Sequence, residues 1–168
     1  MIIGVLADSH DHLDHLARAV ELLRERRVDL VLHAGDFISP FTIPPLEKVG
    51  CPVLAVFGNN DGARVGLHAR FAQIGAELHE RPWTYTFEGP AGKARIHLQH
   101  EPVALNTFTG SPDFDLVVYG HTHAIDVRVP ESGAILVNPG EVCGWLTGRP
   151  TCALISLSDR KVEIIELK

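Results

Sequence analysis

Seven residues of types that ligate metal ions stand in one recurrent setting along the chain: Asp8 and His10, Asp36, Asn59, His100, and His121 with His123. They lie in Asp8-x-His10, Gly35-Asp36, Gly58-Asn59-Asn60-Asp61, Gln99-His100 and Gly120-His121-Thr122-His123, and each group follows a short apolar run of the kind that forms a strand. Imidazole and oxygen donors together suit borderline cations such as Mn, Fe, Ni or Zn. The lack of cysteine in these motifs argues against a closed thiolate zinc site. Gathered at one place, such a set is the equipment of a two-metal hydrolase.

The individual signals differ in weight. Asp8 and His10 are two residues apart, so on extended chain their side chains leave on the same face. Asp36 offers two oxygens that can hold separate cations roughly 3.5–4 Å apart, and Gly35 lets the backbone approach closely. The neutral amide of Asn59 can complete a metal shell without adding charge that repels phosphate, although Gly58-Asn59-Asn60-Asp61 alone also fits an Asn-rich turn. His121 and His123 are the strongest local pair. His100 supplies a donor from a distant strand end. The other six histidines, at 12, 15, 33, 68, 79 and 97, are assigned to surface or packing roles, with His33 near enough to Asp36 to support it.

The elements that must position these residues read as α/β. Ile2 to Ala7 is an apolar run expected of a central strand. Leu13, Leu16, Ala17, Val20 and Leu23 then recur at helical spacing, predicting a helix over about 12–26 capped by Asp11. Strands follow at Leu30–His33 and Val53–Phe57, around a short helix near 42–49, which gives a βαβαβ first half. A further helix is expected from a cap at Asp61 to about Ile74. No Gly-x-Gly-x-x-Gly turn supports dinucleotide binding. The second half reads as strands at 84–87, 94–98, 116–119, 125–129, 134–137, 153–157 and 162–167. Three hairpin turns join them, at Glu88 to Gly92, Glu131 to Gly133 and Ser158 to Arg160. Two packed sheets with helices outside are expected, with a divided α+β domain as the alternative.

At 168 residues the chain is one domain's worth, residues 1–168, with enough length to bury a core. Its 15 Lys and Arg against 21 Asp and Glu give a net charge of -6, which argues against a surface built to grip long nucleic acid. The cleft is a separate matter: two divalent cations outweigh the carboxylates of Asp8 and Asp36 and favour an anionic substrate. Cys51, Cys143 and Cys152 offer no disulfide framework, so reduced thiols in a cytoplasm are expected. Met1 to Ala7 has no basic segment before it and reads as a strand, not a signal peptide. No apolar stretch approaches the roughly 20 residues of a membrane-spanning helix.

Taken in order, Asp8-Ser9-His10, Gly35-Asp36, Gly58-Asn59-Asn60-Asp61, Gln99-His100 and Gly120-His121-Thr122-His123 resemble the calcineurin-like metallophosphoesterases, and within them the small YfcE-like and archaeal-type phosphodiesterases. Val137-Asn138-Pro139-Gly140-Glu141 is similar to that subgroup too. The resemblance implies a four-layer αββα sandwich. It implies one cation held by Asp8, His10, Asp36 and His123 and a second by Asp36, Asn59, His100 and His121, with Asp36 bridging and Asp36, Asn59 and His100 counted as catalytic. The implied activity is hydrolysis of a small phosphodiester by a hydroxide held on two divalent metals, Mn2+ or Ni2+ first, with Fe, Zn or Mg as alternatives.

Two residues depart from the family pattern. Many larger relatives carry His where this chain has Asn60, and Gly where it has Glu101. Asn60 cannot act as an acid, so esters with good leaving groups are expected to be preferred. The competing readings are a phosphomonoesterase or protein phosphatase, and a metal-binding scaffold similar to the retromer subunit of this fold. Asn138, Arg149 and the loop from Cys143 to Gly148 are candidates for contact with substrate or another subunit, and the Trp145 loop or an exposed edge strand for a homodimer or higher homo-oligomer.

Overall fold

The computed structural model describes residues 1–89 and 92–168. Eleven strands form two sheets among the described residues. The first half alternates as expected: β1 (Ile2–Leu6), α1 (Leu13–Glu25), β2 (Leu30–His33), a 3-10 turn (Pro40–Thr42) running into α2 (Ile43–Glu47), β3 (Val53–Val56), α3 (Arg64–Gln73) and β4 (Glu77–His79). Strands β1 to β4 run parallel. On the other side of β1 the chain's last two strands, β10 (Thr151–Ser156) and β11 (Lys161–Glu166), add antiparallel to complete a six-stranded sheet in the order β11-β10-β1-β2-β3-β4.

The second sheet has the order β5-β6-β7-β9-β8, from β5 (Trp83–Gly89), β6 (Gly92–Leu98), β7 (Leu116–Val118), β8 (Ile125–Arg128) and β9 (Ile135–Pro139). Strands β6, β7 and β9 are mutually parallel. The expected hairpin at Glu88 to Gly92 joins β5 to β6, which pair antiparallel; its residues 90 and 91 lie outside the described residues.

The layers follow from which face of each strand is apolar. Ile3, Val5, Leu32 and Leu54 of the first sheet meet Ile96, Leu98, Leu116 and Val137 of the second in a core between the sheets. On the outer face of the first sheet, Leu16, Leu23, Leu46, Leu67 and Phe71 of α1, α2 and α3 cover Leu6, Val31 and Ala55. Both faces of β1 to β3 are thus buried, which explains their unbroken apolar runs. A short α4 (Leu105–Thr109) lays Leu105 and Phe108 over Val117 and Leu136 on the outer face of the second sheet, giving the fourth layer of an αββα sandwich.

Two expected caps are corrected. Helix α1 begins at Leu13 with His12 as its cap, the His12 ring accepting the N–H of His15. Asp11 lies in the left-handed region with φ 57° and accepts from the N–H and hydroxyl of Ser39 instead. Helix α3 begins only at Arg64, because the Asp61 carboxylate is spent on loop backbone.

Candidate metal centre

Three strands that run parallel within each sheet lead into loops beyond their carboxyl ends, and these loops carry all seven candidate residues. β1 leads to Asp8 and His10, β2 to Asp36, β3 to Asn59, β6 to His100, and β7 to His121 and His123; β9 leads to Glu141. Five of the seven, Asp8, His10, Asp36, His121 and His123, have φ between 41° and 68°. Non-glycine residues rarely adopt that conformation, and its concentration at one place shows that these loops are held in shape by their surroundings.

The side chains converge. Asp36 Oδ2 lies 3.4 Å from His10 Nε2 and 3.5 Å from His100 Nε2. Asp8 Oδ1 lies 3.6 Å from His123 Nε2 and 3.9 Å from His10 Nε2. Asn59 Oδ1 sits 2.8 Å from both His100 Nε2 and His121 Nδ1. Asp8, Asp36, His100 and His123 are buried, while Asn59 and His121 are exposed at the mouth.

Whether cations fit is decided by the lone pairs. The Nδ1–H of His100 donates to the Ala34 carbonyl at 2.7 Å, so its Nε2 turns an acceptor toward Asn59 Oδ1 and Asp36 Oδ2, which are acceptors as well. These atoms close only around a proton or a cation. His10 Nε2 is a buried nitrogen with no hydrogen-bond partner among the described residues. His123 gives its Nδ1–H to Glu141 at 2.6 Å and turns Nε2 toward Asp8. Orphaned or converging acceptors of this kind, in sets such as Asp8, His10 and His123 or Asp8, Asp36 and His100, fit divalent cations.

The electrostatics agree. Burial pushes the Asp8 carboxyl up to about 7, as expected of an acid awaiting a counter-charge. Burial also opposes ionisation of Asp36, but hydrogen bonds with His100 and from Asn60 outweigh it and hold that carboxyl well below the usual range. Burial lowers the pKa of His10. At His100 burial lowers the pKa, but the hydrogen bond and charge of Asp36 overcome it and the net shift is upward.

Residues outside the seven hold the site in shape. Asp61, 3% exposed, accepts four backbone N–H groups: Asp36 at 3.0 Å and Gly58 at 2.7 Å on one oxygen, Phe37 at 2.7 Å and Ile38 at 2.8 Å on the other. His33, fully buried, receives the Gly35 N–H on Nδ1 and donates Nε2–H to the Ser9 hydroxyl, which donates in turn to the Asp36 carbonyl. That supporting place for His33 is the one its nearness to Asp36 suggested. Asn60 donates its backbone N–H and its side-chain amide to the two oxygens of Asp36, each at 2.8 Å. Asn138 is buried and braces the His121–His123 turn through Gly120 and Thr122, so it is not available to substrate. Arg149 is paired with Glu166 on the surface.

The chain belongs to the calcineurin-like phosphoesterases: residues 1–160 match the model of the calcineurin-like phosphoesterase superfamily domain. It is 35% identical over its whole length to the phosphodiesterase MJ0936 of Methanocaldococcus jannaschii, all of which is covered. A solved archaeal phosphodiesterase superposes with a TM-score of 0.85 at 32% identity, over 99% of this chain and 100% of that one. The phosphoesterase Yfce of E. coli, fully covered at 19% identity with a TM-score of 0.65, shares the fold. Phosphoesterase chemistry on divalent metals is therefore the family's chemistry, and this chain carries candidate ligand clusters for it. No helix among the described residues is long and apolar enough to cross a membrane.

Proposed function

We propose that the chain, residues 1–168 acting as one domain, is a phosphodiesterase that takes two divalent cations, Mn2+ or Ni2+ first. One is held by Asp8, His10, Asp36 and His123, the other by Asp36, Asn59, His100 and His121. The observation that carries this reading is the place of Asp36 Oδ2, 3.4 Å from His10 Nε2 and 3.5 Å from His100 Nε2: a single carboxylate faces both imidazole sets.

Two divalent cations supply Lewis acidity toward phosphoryl oxygens and make hydroxide available near neutral pH. The protein's own part is to fix the donors and leave one side open. Asp36, Asn59 and His100 carry the catalytic contribution, Asp36 by facing both sets, Asn59 by adding a neutral donor that does not repel phosphate, and His100 by a ring orientation fixed through Ala34. Asn60 is committed to Asp36 and is no acid, so the leaving group takes its proton from water. No Arg or Lys among the described residues bonds to any of the seven, which suits the single charge of a diester better than the double charge of a monoester. The three unpaired thiols support a cytoplasmic setting.

The test is hydrolysis of bis(p-nitrophenyl) phosphate and of p-nitrophenyl phosphate after metal stripping and separate return of Mn2+, Ni2+, Mg2+ or Zn2+. Metal-restored cleavage of the diester above the monoester is expected. Faster cleavage of the monoester would favour a phosphomonoesterase. Full metal loading with no turnover of either ester would favour a binding scaffold.

A further inference from the structure

Glu141 is fully buried, and its carboxylate bonds to two different parts of the molecule. Oε2 accepts the Nδ1–H of His123 at 2.6 Å, the Cys143 thiol at 3.0 Å and, more weakly, the N–H of Leu146 at 3.2 Å. Oε1 accepts the N–H of Leu146 at 3.0 Å, the N–H of Thr147 at 2.6 Å and the Thr147 hydroxyl at 2.7 Å. The His123 bond ends on a ring whose other nitrogen faces Asp8. The remaining bonds, to both oxygens, fold the loop from Cys143 to Arg149. That loop holds Trp145, 64% exposed, with its indole N–H 3.4 Å from the His10 carbonyl and its ring 4.9 Å from that of His12. One buried carboxylate therefore stands between a candidate ligand and a rim loop that touches a second candidate ligand, His10.

We propose that Glu141 is a positioning residue that couples cation binding at His123 to the order of the Cys143–Arg149 loop. The inference rests on the reading of His123 as a ligand. A carboxylate behind an imidazole keeps the proton on Nδ1, orients the ring and raises the basicity of Nε2. A cation at Nε2 strengthens the Nδ1–H donor, which draws Oε2 inward and fixes the whole carboxylate, including the oxygen that gathers Leu146 and Thr147. Linkage makes the effect reciprocal: whatever factor the cation adds to loop order, loop order returns to cation affinity.

The test uses the full chain in a Trp83→Phe background, which leaves Trp145 as the sole tryptophan of the two. Zn2+ is the probe, because it is diamagnetic, with affinity read by calorimetry and loop order by acrylamide quenching of Trp145. Zn2+ is expected to lower the quenching constant of the parent. Glu141→Gln is expected to weaken Zn2+ about 10- to 100-fold, to raise quenching in the metal-free protein, and to abolish the response to Zn2+. Thr147→Val keeps the Glu141–His123 contact and removes the hydroxyl that bonds Glu141 and the Arg149 backbone; it is expected to raise quenching and weaken Zn2+ by about fivefold.

Circular dichroism establishes that each variant is folded, and Thr147→Val decides if Glu141→Gln is not. Three results would overturn the coupling while leaving the metal site standing: a parent that binds Zn2+ with unchanged quenching, a folded Glu141→Gln with parental Zn2+ affinity, or a Thr147→Val whose loop loosens at constant affinity. A parent that binds no Zn2+ at all would overturn the metal-site reading itself, and the coupling with it.

Discussion

The carboxylate of Asp61 receives the backbone N–H of Asp36 at 3.0 Å, with three further N–H groups arranged around it. A buried carboxylate thus serves as the hub that joins the loop after β2 to the loop after β3. Asp61→Ala leaves those donors without partners in a place water barely reaches, and is expected to cost about 3 kcal/mol or more of stability. Urea denaturation measures it, and a loss below about 1 kcal/mol would show that the loops do not depend on this hub.

The same two loops meet at glycine. A Cβ on Gly58 would overlap the carboxylate of Asp36, and a Cβ on Gly35 would lie 2.6 Å from the Gly58 nitrogen and 2.9 Å from His100 Nδ1. Backbone cannot yield as a flexible side chain can. Gly58→Ala is therefore expected to displace Asp36 and, on the proposed role of Asp36, to lower Mn2+ affinity by at least about tenfold. Calorimetric titration with Mn2+ checks this, and parental affinity in the variant would contradict the close packing.

Protons and cations are expected to compete for Asp8. Its carboxyl is raised by burial from 3.8 to about 7, so it must lose a proton before it can ligate. Cation affinity is expected to fall by about tenfold per pH unit below pH 7 and to level off above it. Without cation the sign reverses. A carboxyl whose pKa in the fold exceeds its unfolded value stabilises at low pH and loses that contribution as pH rises from about 4 to 7. Metal-free Asp8→Asn should lack this loss. Thermal unfolding from pH 5 to 8, with and without Mn2+, measures both trends.

Asn60 has both of its donors on Asp36 and holds no proton to give. Aryl diesters, whose leaving groups need little protonation, are expected to be cleaved at least about tenfold faster than alkyl diesters of the same charge, a difference in the range general acids contribute. Equal rates on bis(p-nitrophenyl) phosphate and a dialkyl phosphate would show that some other group supplies the proton.

That the seven candidate residues come together was legible in sequence because chemistry restricts the types that hold cations and because each sits just past an apolar run. The strands β1 to β3 were legible for the same reason, being buried on both faces. Strand β4, Glu77–His79, was missed: it is three residues long, has a charged end and lies at a sheet edge with no face fully buried. Helix α4, Leu105–Thr109, is a single turn rich in Asn and Thr, too short to show a period. The caps at Asp11 and Asp61 were misread because a carboxylate before a helix looks the same whether it binds the helix or a loop from another strand. Glu141 had a sequence context but no visible role, since the partner that gives it one, His123, comes from the loop beyond a different strand.

The central claim is that Asp36 stands between two cations. It is tested most directly by counting Mn2+ per chain at saturation and recording the electron paramagnetic resonance of the loaded protein, alongside Asp36→Asn. Two Mn2+ per chain with the spectrum of a spin-coupled pair, both lost in the variant, is the expected result. One Mn2+ per chain with the spectrum of an isolated ion, or two in a folded Asp36→Asn, would contradict it.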